Sequence, residues 1–130
     1  MAPVMTTSVT KLVGVVDDDE LVRIALQRLL KAAGYGVVTF ASAEDLLKSG
    51  QLAEIACLIV DIRMPGMSGL DLQAKLRTEH PVPIIFITAH GDEKMRLQAM
   101  RAGAVAFLAK PFDSGILLDR VRAALESMGS

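Results

Sequence analysis

Five apolar runs rich in β-branched residues recur along the chain, each ending near a polar residue or a glycine. They are Leu12–Asp17, Gly36–Phe40, Cys57–Asp61, Pro83–Thr88 and Val105–Leu108. Between them the apolar positions shift to a helical period. In the first such stretch Val22, Ala25, Leu26, Leu29, Leu30 and Ala33 fall on one face, and Gly34 is placed to stop the helix. In the last, Leu117, Val121, Ala124, Leu125 and Met128 share a face. Ser42 and Asp92 are expected to cap the second and fourth helices, and the third starts near Ser68 with Leu72 and Leu76 inward. The fourth has no narrow stripe, because Met95, Leu97, Ala99 and Met100 spread around the cylinder.

Strand and helix alternating five times predict an α/β domain with a parallel sheet covered on both faces. The unbroken apolar strands Cys57-Leu-Ile-Val60 and Ile84-Ile-Phe-Ile87 fit strands buried on both sides. The chain has 130 residues, enough for one domain, and 52% of them are hydrophobic, which argues against disorder. Residues 1–10 read as a flexible tail ahead of a domain spanning 11–130. They lack the charged-then-apolar pattern of a secretory leader, and no apolar run is long enough to cross a bilayer.

The net charge of −1, from 14 basic and 15 acidic residues, offers no electrostatic footprint for nucleic acid. Aromatic side chains for base stacking are few. The single cysteine, Cys57, lies in an apolar run and reads as a small buried hydrophobe, which suits a reducing cytoplasm.

Polar groups gather at the strand ends. Asp17 and Asp18 close the first strand, Asp61 the third, Thr88 the fourth, and Lys110 follows the fifth. In a parallel sheet these ends share one edge, where open α/β folds bind ligands. Neighbouring strands lie about 4.8 Å apart. Two carboxylates at that spacing repel by roughly 3 kcal/mol at an effective dielectric near 20, so a cluster takes up protons or a cation. An all-oxygen donor set favours hydrated Mg²⁺, and no Cys/His set points to zinc. An aspartate can also attack phosphorus, with Lys110 and Thr88 suited to hold phosphoryl oxygens.

Val16-Asp17-Asp18-Asp19, Asp61-Ile-Arg-Met-Pro-Gly-Met-Ser-Gly69, Ile87-Thr88-Ala89 and Ala109-Lys110-Pro111-Phe112 resemble the four marks of response-regulator receiver domains of two-component signalling. They occur in the family's order, and the likeness runs from about Lys11 to the end. The resemblance implies a flavodoxin-like (βα)5 fold with strand order 2-1-3-4-5. It implies that Asp61 accepts phosphate from a histidine kinase, with Asp17, Asp18, Asp61 and the backbone carbonyl of Arg63 holding Mg²⁺. Thr88 and Lys110 would bind the phosphoryl group, Thr88 and Phe107 would switch on phosphorylation, and Arg63 and His90 would tune dephosphorylation. A cis Lys110–Pro111 bond is implied, directing the ammonium inward. So is a homodimer through the fourth helix, fifth strand and fifth helix, whose basic residues include Lys94, Arg96, Arg101, Arg120 and Arg122. The Asp61 and Thr88 segments are most similar to receivers of helix-turn-helix transcription regulators, so an effector domain is expected outside these residues, with no nucleic-acid contact by the chain itself.

Plainer readings exist for single residues. Asp19 reads as a helix cap, Pro65, Gly66 and Gly69 as turn chemistry, and His80 as a loop residue. Other functions fit less well. An aspartate-nucleophile phosphatase of the haloacid dehalogenase type needs a second aspartate two residues after the nucleophile, where Arg63 stands. The expectation is therefore a regulatory domain, not an enzyme, with at most slow self-phosphorylation and self-dephosphorylation. A flavin or nucleotide module wants a glycine-rich loop where Asp17-Asp-Asp-Glu20 stands. A stand-alone phospho-shuttle and a constitutive interaction domain are the remaining alternatives.

Overall fold

The computed structural model describes residues 11–89 and 93–129, the last three of these by backbone alone. Five strands, β1 (Leu12–Val16), β2 (Gly36–Phe40), β3 (Ile55–Asp61), β4 (Ile84–Thr88) and β5 (Ala106–Ala109), form one parallel sheet in the order β2-β1-β3-β4-β5. The connecting helices are α1 (Glu20–Ala32), α2 (Ala43–Lys48), α3 (Gly69–Glu79), α4 (Glu93–Arg101) and α5 (Ser114–Gly129). The α/β fold and the 2-1-3-4-5 order are those expected. The 1–10 tail and the Asp92 cap fall outside the described residues.

Alternation along the strands separates two apolar layers. Cys57 and Ile59 of β3 and Ile85 and Ile87 of β4 pack with Leu26 and Leu30 of α1 and Leu117 and Val121 of α5. Leu58, Val60, Ile84 and Phe86 face the other way, against Leu46 of α2, Leu72 and Leu76 of α3, and Ala99 of α4. The sheet is buried on both faces, as its continuous apolar strands require.

The helix ends follow their side chains. Asp19 caps α1 by accepting the Leu21 N–H at 2.9 Å. Ser42 caps α2 through the Asp45 N–H at 3.0 Å. Ser68 and Asp71 form a reciprocal capping box on α3. Ala33 is the C-cap of α1, and Gly34 follows with φ +96°. His80 is the C-cap of α3. Four strands differ from expectation. β3 starts two residues earlier, at Ile55, β1 stops at Val16, β4 starts one residue later, at Ile84, and β5 is displaced by one residue to Ala106–Ala109. The site aspartate Asp17 thus stands just past its strand, its N–H still donating to the Phe40 carbonyl at 3.1 Å. Among the described residues no helix is long and apolar enough to cross a membrane.

Candidate phospho-acceptor site

Val16 of β1 is in register with Val60 of β3, so Asp17 and Asp61 emerge side by side at the carboxyl edge. Asp61 pairs with Ile87 of β4, and Thr88 is the next residue along. Thr88 in turn pairs with Ala109 of β5, which delivers Lys110 to the same edge. The Lys110 N–H donates to the Thr88 carbonyl at 2.9 Å, tying the two strand ends together. The Lys110–Pro111 bond is cis, as expected.

Carboxylate oxygens of Asp17, Asp18 and Asp61 all lie within 4.8 Å of one another. Asp17, Asp61 and Thr88 are buried, whereas Asp18 is exposed. Lys110 Nζ donates to Asp61 Oδ2 at 3.2 Å and stands 2.9 Å from Asp17 Oδ2. The second approach is out of line for a hydrogen bond, and among the described residues the fully buried Asp17 Oδ2 accepts none. Asp17 Oδ1 accepts the Asp19 N–H at 2.8 Å, and Asp61 Oδ1 accepts the Arg63 N–H at 3.2 Å.

Burial raises the Asp61 pKa above the usual aspartate value, and the charge of Asp17 adds to it, while Lys110 and the Arg63 N–H pull the other way. For Lys110, burial is the largest single influence and disfavours its charge. The adjacent Asp17 and Asp61 together outweigh it, so the ammonium is held above the ordinary lysine value. Three clustered carboxylates and one ammonium leave the pocket with excess negative charge. This all-oxygen donor set suits a hard divalent cation.

Of the expected site residues, Asp17, Asp18, Asp61, Thr88 and Lys110 converge. Arg63 borders them, its side chain exposed and its Nη2 3.5 Å from Met95 Sδ of α4. Phe107 is half-buried on β5, in register with Phe86, on the same sheet face as Thr88. His90 lies outside the described residues. Two supporting residues carried no signal in the hydrophobic pattern. Arg23 of α1 donates to the Asp17 carbonyl at 2.7 Å, fixing the turn that carries the acids. Glu44 of α2 accepts the Met67 N–H at 2.9 Å and so reaches the loop after β3.

Gly69 requires a correction. It does not adopt the left-handed conformation of a turn glycine. A Cβ there would lie 2.7 Å from the Asp61 carbonyl oxygen, so Gly69 permits α3 to pack directly on the acceptor strand. Gly66, with φ +76°, is a turn glycine as expected. Cys57 is fully buried, and burial pushes its thiol pKa up to about 12.

Residues 13–122 match the family model of the response regulator receiver domain. The chain is 48% identical over 120 residues to Nodulation protein W of Bradyrhizobium diazoefficiens, covering 92% of this chain and 53% of that protein. It is 40% identical over 114 residues to the transcriptional regulatory protein FixJ of the same organism, covering 87% and 54%. The chain thus spans about half the length of these relatives. The solved structure of the response regulator StyR superposes with a TM-score of 0.83 at 47% identity, covering 90% of this chain and 60% of that one. Fold, site and relatives agree, and the chain belongs to the response-regulator receiver family of two-component signalling.

Proposed function

We propose that this receiver is a phosphorylation-activated switch whose acceptor is Asp61. The observation that carries the reading is the convergence of Asp61 with Asp17, Asp18 and Lys110 on one sheet edge. A carboxylate oxygen of Asp61 attacks the phosphorus of a phosphohistidine on a histidine kinase. The new P–O bond forms as the P–N bond breaks, and the electron pair leaves with the imidazole nitrogen. Lys110 and Thr88 bind the transferred phosphoryl oxygens. Asp17, Asp18, Asp61 and the Arg63 carbonyl would hold Mg²⁺. When bound, Mg²⁺ supplies positive charge that screens the acids from the incoming phosphoryl group.

Arg63 stands where an aspartyl phosphatase would carry its general acid. Its N–H is spent on Asp61, and its side chain turns toward α4. That supports a regulatory domain with slow self-dephosphorylation, tuned by Arg63 and His90, rather than a turnover enzyme.

The modification adds about two negative charges at Asp61. Thr88 moves toward them, and Phe107 turns into the space behind it on the same sheet face. The face of α4, β5 and α5 then favours a homodimer. Moving such an equilibrium from mostly inactive to mostly active takes about 5 kcal/mol. The lengths of Nodulation protein W and FixJ, and FixJ's role in transcription, support an attached transcriptional output domain and a cytoplasmic setting. DNA contact then falls to residues outside this chain.

The test is incubation with acetyl phosphate and Mg²⁺, followed by intact mass. One phosphoryl group is expected, lost on hydroxylamine treatment and absent when EDTA is present from the start. Labelling that persists in EDTA, or none with the fold intact, overturns the reading.

A further inference from the structure

We propose that Glu44 is a positioning residue for the phospho-acceptor site, clamping the β3–α3 loop from α2. The inference rests on the reading of Asp61 given above. Glu44 lies in the first turn of α2, beyond the Ser42 cap. Its Oε2 accepts the Met67 N–H at 2.9 Å, a charge-assisted bond across 23 positions of sequence. That N–H, together with Glu44's own backbone N–H, lowers the Glu44 pKa, so the carboxylate stays charged.

A second observation involves Gly66. A Cβ at that position would stand 2.8 Å from Glu44 Oε2, so the carboxylate occupies the volume a side chain would fill. The positive φ is what calls for glycine here, and the Glu44 carboxylate packs in the space beside it.

The loop is anchored at both ends. The Gly69 N–H donates to the Ile62 carbonyl at 2.9 Å, and the Ser68–Asp71 box fixes the start of α3. Between these anchors Met64, Pro65, Gly66 and Met67 cross over, and Glu44 reaches them from α2. The same loop carries Arg63, whose N–H binds Asp61. Outer residues that orient ligand-bearing groups govern affinity without touching the ion.

An acid in the first turn of α2 also favours the helix dipole, a role Asp45 shares. Substitution separates the two roles. Glu44→Gln keeps an oxygen acceptor for Met67 but loses the charge, and Glu44→Ala loses both. The experiment uses the full, isotopically labelled chain. Mg²⁺ titration is followed by amide NMR shifts, and hydrogen exchange is read at the Met67 amide.

For Glu44→Ala, a rise in the Mg²⁺ dissociation constant of about tenfold is expected, against no more than about twofold for Glu44→Gln. Met67 exchange should quicken in the alanine variant and not in the glutamine variant. Wild-type Mg²⁺ affinity in Glu44→Ala, or equal losses in both variants, overturns the proposal. If the wild type takes up no Mg²⁺, the acidic-site reading fails while the clamp is judged from Met67 alone. Faster exchange restricted to Glu44→Ala upholds the clamp, and equal exchange in all three proteins overturns it.

Discussion

Helices α1 and α4 flank the same sheet edge and are held in opposite ways. α1 places Leu26 and Leu30 fully out of solvent, with Val22 and Leu29 packed alongside. It also fixes the acid-bearing turn through Arg23 and the Asp19 cap. α4 buries Ala99, while Leu97 and Met100 remain 39% and 37% exposed. Its ties are polar or soft. The Gln73 amide N–H donates to the Ala99 carbonyl at 3.0 Å, and Arg63 reaches Met95. Segments with little buried apolar area open at low free-energy cost. The acids thus sit on the firmly packed side, where fixed geometry serves chemistry, and the site's other flank is an element that a modest local force can move.

Four substitutions sharpen or break that contrast. Leu30→Ala should destabilise the whole domain by about 2–5 kcal/mol in urea unfolding, because it empties a fully packed position. A loss well below that range would remove α1 as the firm anchor.

Asp61→Asn should act in the opposite direction in metal-free protein. Folding raises the Asp61 pKa, so its ionisation costs stability. The contribution is intact below the unfolded-state pKa and is lost as pH rises through the folded value. The asparagine variant should be more stable at neutral pH, because burial of the charge and the neighbouring Asp17 together outweigh the attraction of Lys110 and the Arg63 N–H. The gain should vanish below about pH 4, where aspartate is protonated in both states. Equal stability across that range would mean that Lys110 fully neutralises the pocket.

Gln73→Leu should cost about 0.5–1.5 kcal/mol, because the Ala99 carbonyl loses the Gln73 amide but keeps the Ala104 N–H at 3.0 Å. It should also quicken hydrogen exchange in α4 more than in α1. Leu97→Ala, at an exposed position, should stay within about 0.5 kcal/mol of wild type. A larger loss would show that α4 is packed more tightly than its exposure indicates.

Much of this arrangement is legible in the sequence. The stripe of α1 and the apolar strands are direct consequences of period and burial, and polar residues at successive strand ends marked the reactive edge. The fourth helix was hard to read for the reason that makes it interesting, since an element with one buried residue leaves no stripe. Gln73 resembled any polar residue on a helix face, although its side chain is inside and bonded to α4. Glu44 was hidden because its partner is a backbone N–H on a distant loop, which no side-chain pattern reports. Gly69 looks like a turn residue in the sequence because contact with the Asp61 carbonyl exists only once α3 docks. The extra residues of β3, Ile55 and Ala56, precede the run whose composition announced the strand.

The claim on which the account stands is that Asp61 carries the phosphoryl group. Wild type and Asp61→Asn should be treated side by side with acetyl phosphate and Mg²⁺, reduced with borohydride, digested and sequenced by mass spectrometry. The account predicts conversion of residue 61 to homoserine in the wild type and no conversion elsewhere in either protein. Homoserine at Asp17 or Asp18, or phosphorylation of Asp61→Asn to the wild-type extent, would contradict it.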